Sequence, residues 1–364
     1  MLSDVTIIGA GINGLLSALA LAREGLHVSI LERGSVAQES TWAGAGIVSP
    51  LLPWDYGDEV NNLSERGRQS WPTWIELIQE RSRIDPEYHT CGMLALSIQA
   101  KAKAVDWCQS KCWNAVEPPA HFHGLFTAID DGLWLPDVAQ VRNPRLAQAL
   151  LEACCASGVE VLPDTPALAL NMSHNRINSI KTSRGDRVSG LYVLSTGAWS
   201  QSLLSGFAEN VDIRPVRGQI LLYKGTPGQV PFIVYQSGHY LVPRQDGLIL
   251  VGSTLEQVGY DKSTTSTAKD ALQAFALNLF PCLASAELLS HWAGLRPGSP
   301  GNIPTISSHP WIDNLYLNSG HFRYGVTMAP ASAELLRDII LERVPIIDPA
   351  PYRWKCSTLP LSPC

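Results

Sequence analysis

The 364-residue chain is short of charge: 16% of its residues are Asp, Glu, Lys or Arg, against about 25% in ordinary soluble domains. Basic runs are absent too. Twenty-seven Lys and Arg stand against 33 Asp and Glu, a formal net charge of −6. No stretch has the cationic density that tracks a phosphate backbone, which argues against nucleic acid as a partner. C-x-x-C pairs are missing. The eight cysteines fall at positions 91, 108, 112, 154, 155, 282, 356 and 364, with no His at ligand spacing, which argues against a metal site and against a disulfide framework. Cys154 and Cys155 lie in a helical pattern with nothing electropositive beside them, so they read as structural thiols of a reducing compartment. Val5 to Ala22 carries no charge, yet Asp4 stands where a targeting segment has Lys or Arg, and Gly9, Gly11 and Gly14 interrupt the run. It is expected to belong to the mature fold, and no other candidate span follows, so a cytoplasmic protein without an integral membrane segment is expected. What is present is 45% hydrophobic with a mean hydropathy of +0.03, enough for about two domains with a substantial core. The lean surface charge suits a homo-oligomer or a protein near a membrane, and a monomer equally.

Val5 to Ile8 is a short β-branched run, followed by Gly9-Ala10-Gly11-Ile12-Asn13-Gly14, a helical stretch to Glu24 closed by Gly25, and a second strand over His27 to Leu31 that ends in Glu32. This is a βαβ unit of about thirty residues. Helices are expected near 61–83, 143–157, 267–280 and 329–343, with apolar strands at 159–162 and 192–195 and a hairpin-like stretch at 176–187. A Gly- and Pro-punctuated meander occupies 212–252. Helix–strand alternation at both ends with antiparallel material between implies an α/β, overall α+β, fold. A discontinuous Rossmann-like domain over 1–82, 137–205 and 307–364 is expected to carry an inserted, mostly antiparallel β domain over 83–136 and 206–306.

The chemistry starts at the glycines. G-x-G-x-x-G between a strand and a helix, with an acidic residue eighteen positions after the third glycine, lets backbone approach a pyrophosphate at a helix N-terminus while Glu32 accepts from a ribose hydroxyl. Gly9, Gly11, Ile12, Asn13, Gly14, Glu32 and Arg33 are therefore candidate dinucleotide ligands, as are Thr196 and Gly197 at the end of a later strand. The stretch Thr41, Trp42, Ala43, Gly44, Ala45, Gly46 and Ile47, mostly small residues, suits backbone laid against a flat ring. Gly320, His321, Phe322, Arg323, Tyr324 and Gly325 open the last helix, whose N-terminal amides and dipole could stabilise negative charge on a reduced flavin. A nicotinamide enzyme needs no such second platform. His239 and His321 are the histidines inside motifs, and structural hydrogen bonding is the simpler role for both.

Together with the stretches 40–54, 215–219, 240–244, 252–254, 292–297 and 320–323, these motifs resemble the glycine oxidases of the D-amino acid oxidase superfamily over nearly the whole chain. The stretch from about 91 to 136 matches nothing distinctive. The resemblance implies non-covalent FAD and oxidation of glycine or small amines such as sarcosine and D-alanine, by hydride transfer to flavin N5. The products would be an oxo acid, ammonia and hydrogen peroxide, with a role in supplying the thiazole of thiamine. It implies that Arg296 pairs with the substrate carboxylate, helped by Tyr240 and Arg323, and that Ile47 and Leu255 line the pocket. Tyr324 stands where relatives carry a small amide, which narrows or re-aims that side. A planar guanidinium fork suits a carboxylate on its own chemistry. The alternatives are a D-amino acid or D-proline dehydrogenase passing electrons to a quinone, and an FAD-bearing binding module without activity.

Overall fold

The computed structural model describes residues 3–122, 132–204 and 211–355. The expected linker near 206 and the cysteines at 356 and 364 lie outside the described residues. The first strand, β1 (Ser3–Ile8), is buried over Val5 to Ile8, and α1 (Ile12–Ala22) follows it after one turn. α1 is apolar all round because it is covered on all sides, by the sheet, by helix Asn143–Ala156 and by helix Gly325–Ile340. The second strand, β2 (Val28–Leu31), pairs in parallel with β1.

These strands sit in a six-stranded sheet with the order Thr305–Ser308, Leu315–Ser319, Ser189–Leu194, β1, β2, Glu160–Leu162. All neighbours are parallel except the first pair. Parallel strands sandwiched between helices read as near-continuous apolar runs, as VTII and VSIL do. A seven-stranded sheet runs in the order Glu287–Gly298, Arg214–Lys224, Leu248–Gly252, His239–Pro243, Ile233–Gln236, Met93–Leu96, Leu133–Leu135. It is antiparallel save for the contact between Ile233–Gln236 and Met93–Leu96. Helix Ser266–Leu279 covers its outer face, placing Leu272, Ala276 and Leu279 among Leu221, Leu241 and Val251. The Thr265 hydroxyl caps that helix by accepting from Ala268 N at 3.3 Å.

A three-stranded sheet of Ile47–Val48, Ala139–Gln140 and His89–Thr90 lies between the large ones. The segment 91–136, undistinguished in sequence, thus supplies two strands to the seven-stranded sheet. Two helices depart from expectation. The first runs Asp58–Gln79 and carries Pro72 inside it. The last starts at Gly325, four residues early, and runs through Pro330. Proline deprives the Val326 carbonyl of its i+4 donor, and the Trp71 indole supplies the replacement, donating to Val326 O at 3.0 Å.

Candidate active site

The carboxyl ends of β1, β2 and Ser189–Leu194 open onto two connected clefts, where an open α/β sheet binds ligands. Their empty volumes are about 1070 and 1130 Å³, and Gly11, Ser40, Thr41, Ser195 and Gly197 line both. The result is one long trough with a turn at the start of α1. The first intrahelical bond joins Leu15 N to Gly11 O at 2.9 Å. The amides of Asn13 and Gly14 therefore have no partner inside the helix, while Ile12 N donates to Thr41 Oγ1 at 3.0 Å. Glu32 is held at the end of β2: its Oε2 accepts from Ala10 N at 2.8 Å and its Oε1 from Gly34 N at 3.2 Å. It lines the second cleft with Gly9, Arg33, Thr196 and Trp199. The Arg33 guanidinium lies 3.6 Å from the centre of the Trp199 ring and pairs with Glu39 at 2.6 Å.

These residues fit a dinucleotide. Asn13 Oδ1 and Ser195 Oγ are buried in the trough without a partner among the described residues, and open space lies where a side chain on Gly197 would project. Segment 41–46 is tied back through its carbonyls, leaving a flat face to the first cleft. Thr41 O accepts from Asn143 Nδ2 at 2.7 Å, Ala43 O from Trp292 Nε1 at 3.1 Å, Ala45 O from Arg244 Nη2 at 2.8 Å and Gly46 O from Val141 N at 2.8 Å. Arg244 is buried, and its other bonds go to Gln140 Oε1 at 2.6 Å and Val141 O at 2.9 Å. Burial pulls its pKa down to about 10, and the neighbouring Arg142 adds to the shift.

At the far end of the first cleft the seven-stranded sheet presents Arg296 and Tyr240, while the start of the last helix presents His321 to Gly325. Arg296 Nη2 donates to Ser253 Oγ at 2.6 Å and Nη1 to Thr254 O at 3.2 Å, and among the described residues it makes no ion pair. Burial holds its pKa below the ordinary guanidinium value; Tyr240 opposes that shift and Arg323 adds to it. Two glycines make the room. A Cβ on Gly218 would fall 2.1 Å from Arg296 Nη1, and one on Gly252 2.8 Å from the Tyr240 ring. The loop that accepts from Arg296 is fixed by buried Arg217, which holds Glu256 at 2.5 Å and Asp261 at 2.7 Å. Glu256 in turn accepts from Thr254 Oγ1 and from Gln219 Nε2. Burial raises the Glu256 carboxyl, but these hydrogen bonds outweigh it and leave its pKa below the usual value. Tyr324 is buried edge-on to Tyr56, centroids 5.1 Å apart, and burial drives its phenol well above pKa 10.

Four residues are placed otherwise than expected. Leu255 is 50% exposed and lines neither cleft, because the Thr254 and Glu256 side chains on either side of it are turned inward by the Arg217 and Gln219 bonds. Trp42 lines neither cleft and packs edge-on against Trp292 at 5.5 Å. Gly14 serves helix–strand contact: a Cβ there would lie 2.0 Å from Gly9 O. Gly320, at φ +91°, supplies the turn, with its carbonyl accepting from Ser299 Oγ at 2.5 Å. The other expected residues fall in one cleft or both. Ser195, Asn143 and Gly218 line the trough without having been singled out. Arg244 and Gly218 did lie inside conspicuous stretches, 240–244 and 215–219.

Three comparisons accord with this geometry. The family described as FAD dependent oxidoreductase matches residues 4–339. The glycine oxidase of Pseudomonas aeruginosa is 40% identical over 358 residues, covering 97% of this chain and 98% of that protein. The Synechocystis protein named bifunctional protein ThiO/ThiG is 31% identical, covering 98% of this chain and 55% of its own length. Among solved structures, glycine oxidase from Geobacillus kaustophilus superposes with a TM-score of 0.91 at 22% identity, over 97% of this chain and 98% of that one.

Proposed function

This chain belongs to the FAD dependent oxidoreductases of the D-amino acid oxidase family and is a glycine oxidase-like amino acid oxidase, and from that premise we propose that it deaminates glycine and small amines such as sarcosine and D-alanine. The first cleft offers a half-buried guanidinium with two N–H groups bonded inside the protein and, among the described residues, no ion-pair partner. That observation carries the reading. A carboxylate there would gain a bidentate, charge-assisted pair, with the Tyr240 hydroxyl beside it and Arg323 as a second positive charge. Ile47 and Tyr324 wall the same space, which favours a substrate with little or no side chain.

Gly11, the amides at the start of α1, Glu32 and the face of segment 41–46 would hold FAD, in the half of the chain formed by 1–82, 137–205 and 307–364. The inserted stretches 83–136 and 206–306 would hold the substrate. Bound FAD supplies a two-electron acceptor that returns its electrons to oxygen as hydrogen peroxide. The protein's own contribution is orientation: by fixing the carboxylate, Arg296 sets which face of Cα is presented. Among the described residues, no side chain lining the cleft is poised as a base. His321 is fully buried and neutral, its pKa drawn down to about 3 by burial, so the amine must lose its proton before the chemical step. The ThiO/ThiG likeness fits a role in supplying the imine for thiamine thiazole.

Anaerobic mixing of the yellow protein with glycine, sarcosine, D-alanine and D-proline tests the reading. Bleaching by glycine followed by peroxide on admitting air is expected. Dye reduction by D-proline without oxygen uptake would replace the oxidase by a dehydrogenase, and flavin that no amine bleaches would leave a binding module.

A further inference from the structure

His321 is buried with its ring against two polar side chains, neither of which belongs to the substrate anchor. Its Nε2 lies 2.9 Å from Ser332 Oγ and its Nδ1 3.3 Å from Asn13 Nδ2. A neutral imidazole carries one ring proton, and Ser332 decides where it sits. The serine hydroxyl has one hydrogen, directed at the Met328 carbonyl 2.9 Å away, the common back-bond of a helical serine. Its lone pair therefore accepts from His321 Nε2–H, which leaves Nδ1 as an acceptor for the Asn13 amide. The reverse tautomer would set Ser332 Oγ and Met328 O 2.9 Å apart with no proton between them.

With Nδ2 committed to His321, Asn13 Oδ1 is turned away from it. That oxygen is buried and unpartnered, on a residue in the first turn of α1 that lines the substrate-side cleft and not the Glu32-side cleft. Gly11, two residues earlier, is common to both clefts. A pyrophosphate centred there would carry the polyol of a flavin dinucleotide past Asn13. Phosphate oxygens and ring carbonyls only accept, and of the donors on a flavin dinucleotide the ribityl hydroxyls are the ones bonded next to the pyrophosphate, so the partner that Oδ1 awaits is a hydroxyl.

We propose that His321 and Asn13 form a cofactor-positioning pair, in which the Nε2–H tautomer of His321 locks the Asn13 amide so that Oδ1 accepts a hydrogen bond from a ribityl hydroxyl of FAD. Asn13 touches the cofactor, and His321 is a positioning residue acting through it. The inference rests on the FAD assignment above and concerns which atom of the chain reads the polyol.

The test uses apoprotein titrated with FAD and with FAD analogues deoxygenated at the 2′, 3′ or 4′ ribityl carbon. Wild type should bind one analogue about tenfold more weakly than FAD, and Asn13→Ala should bind FAD about tenfold more weakly with no further loss for that analogue. His321→Leu, which frees the amide to rotate, should lose most of the same discrimination. Nitrogen-15 NMR of the wild-type holoprotein should show His321 Nδ1 unprotonated at neutral pH, a readout that a merely space-filling histidine would not fix. The proposal is overturned if Nδ1 carries the proton, or if no deoxy analogue binds wild type more weakly than FAD. Equal losses in wild type and Asn13→Ala also overturn it, as the hydroxyl would then be held by a group other than Asn13. Should Asn13→Ala fail to fold, the NMR and the wild-type analogue series still decide. Apoprotein that takes up no flavin at all would instead overturn the FAD assignment.

Discussion

Gly218→Ala is a minimal perturbation of the substrate anchor. The glycine faces Gly294 across the strand pair Arg214–Lys224 and Glu287–Gly298, and Arg296 lies two residues further along. Its φ is not in the left-handed region, so alanine is accommodated by the backbone. The new methyl carbon would lie 2.1, 2.3 and 2.4 Å from Nη1, Nη2 and Cζ of Arg296. The guanidinium must retreat by at least about 1 Å to reach ordinary van der Waals separation. It cannot do so and keep both the 2.6 Å bond to Ser253 and the 3.2 Å bond to Thr254. A misplacement of this size at a substrate clamp costs about 100-fold in kcat/KM, roughly 2.7 kcal/mol of transition-state binding. Stopped-flow reduction by glycine gives kcat/KM, and the flavin absorbance of the same sample gives FAD occupancy, which should be unchanged because the clash lies away from α1. Full occupancy with kcat/KM within threefold of wild type would refute the reasoning, since the carboxylate could not then depend on Arg296 where it stands.

Arg296→Ala should lose about 2–5 kcal/mol in kcat/KM for glycine, and Arg296→Lys should recover little, because an ammonium cannot reproduce the planar fork. Tyr240→Phe should cost less, about 0.5–1.5 kcal/mol; the ordering of these three variants is the check. Gly11→Val should purify colourless, since a side chain there would occupy the mouth between the two clefts, and a yellow, active variant would contradict the trough. His321 shapes acid stability: its folded pKa, about 3, lies below the ordinary 6.5. Its contribution is therefore full above about pH 6.5 and lost as pH falls toward 3, about 2 kcal/mol of it by pH 5. Urea unfolding at pH 7 and pH 5 should show that loss in wild type and a smaller one in His321→Asn; equal losses would mean that the ring is not buried neutral.

Legibility followed locality. The first strand, turn and helix could be read because all their determinants lie within about thirty consecutive residues, and Glu32 came with them. Pro330 is a different case. Nothing near it in sequence announces that an indole 259 positions upstream supplies the missing donor, so the helix start was placed too late. Leu255 failed for a similar reason. A resemblance assigns a position, but the direction its side chain takes depends on Arg217 and Gln219, which reach the loop from another strand. Gly218 and Gly252 matter for the space they leave to Arg296 and Tyr240, a property that no single stretch of sequence displays. Of the vicinal cysteines expected to be structural, Cys154 is buried, its Sγ donates to Leu15 O at 3.3 Å and burial drives its pKa far up, whereas Cys155 beside it is exposed, because consecutive helical positions point to different faces.

The small sheet of Ile47–Val48, Ala139–Gln140 and His89–Thr90 pairs strands from both sides of the proposed division between nucleotide and substrate halves. Arg244 projects from the seven-stranded sheet and spends three hydrogen bonds on Ala45, Gln140 and Val141, across the seam. An excised substrate half would leave that guanidinium without its carbonyls, and an excised nucleotide half would leave the carbonyl of Ala45 bare. The protein should therefore melt as one cooperative unit, in a single calorimetric transition.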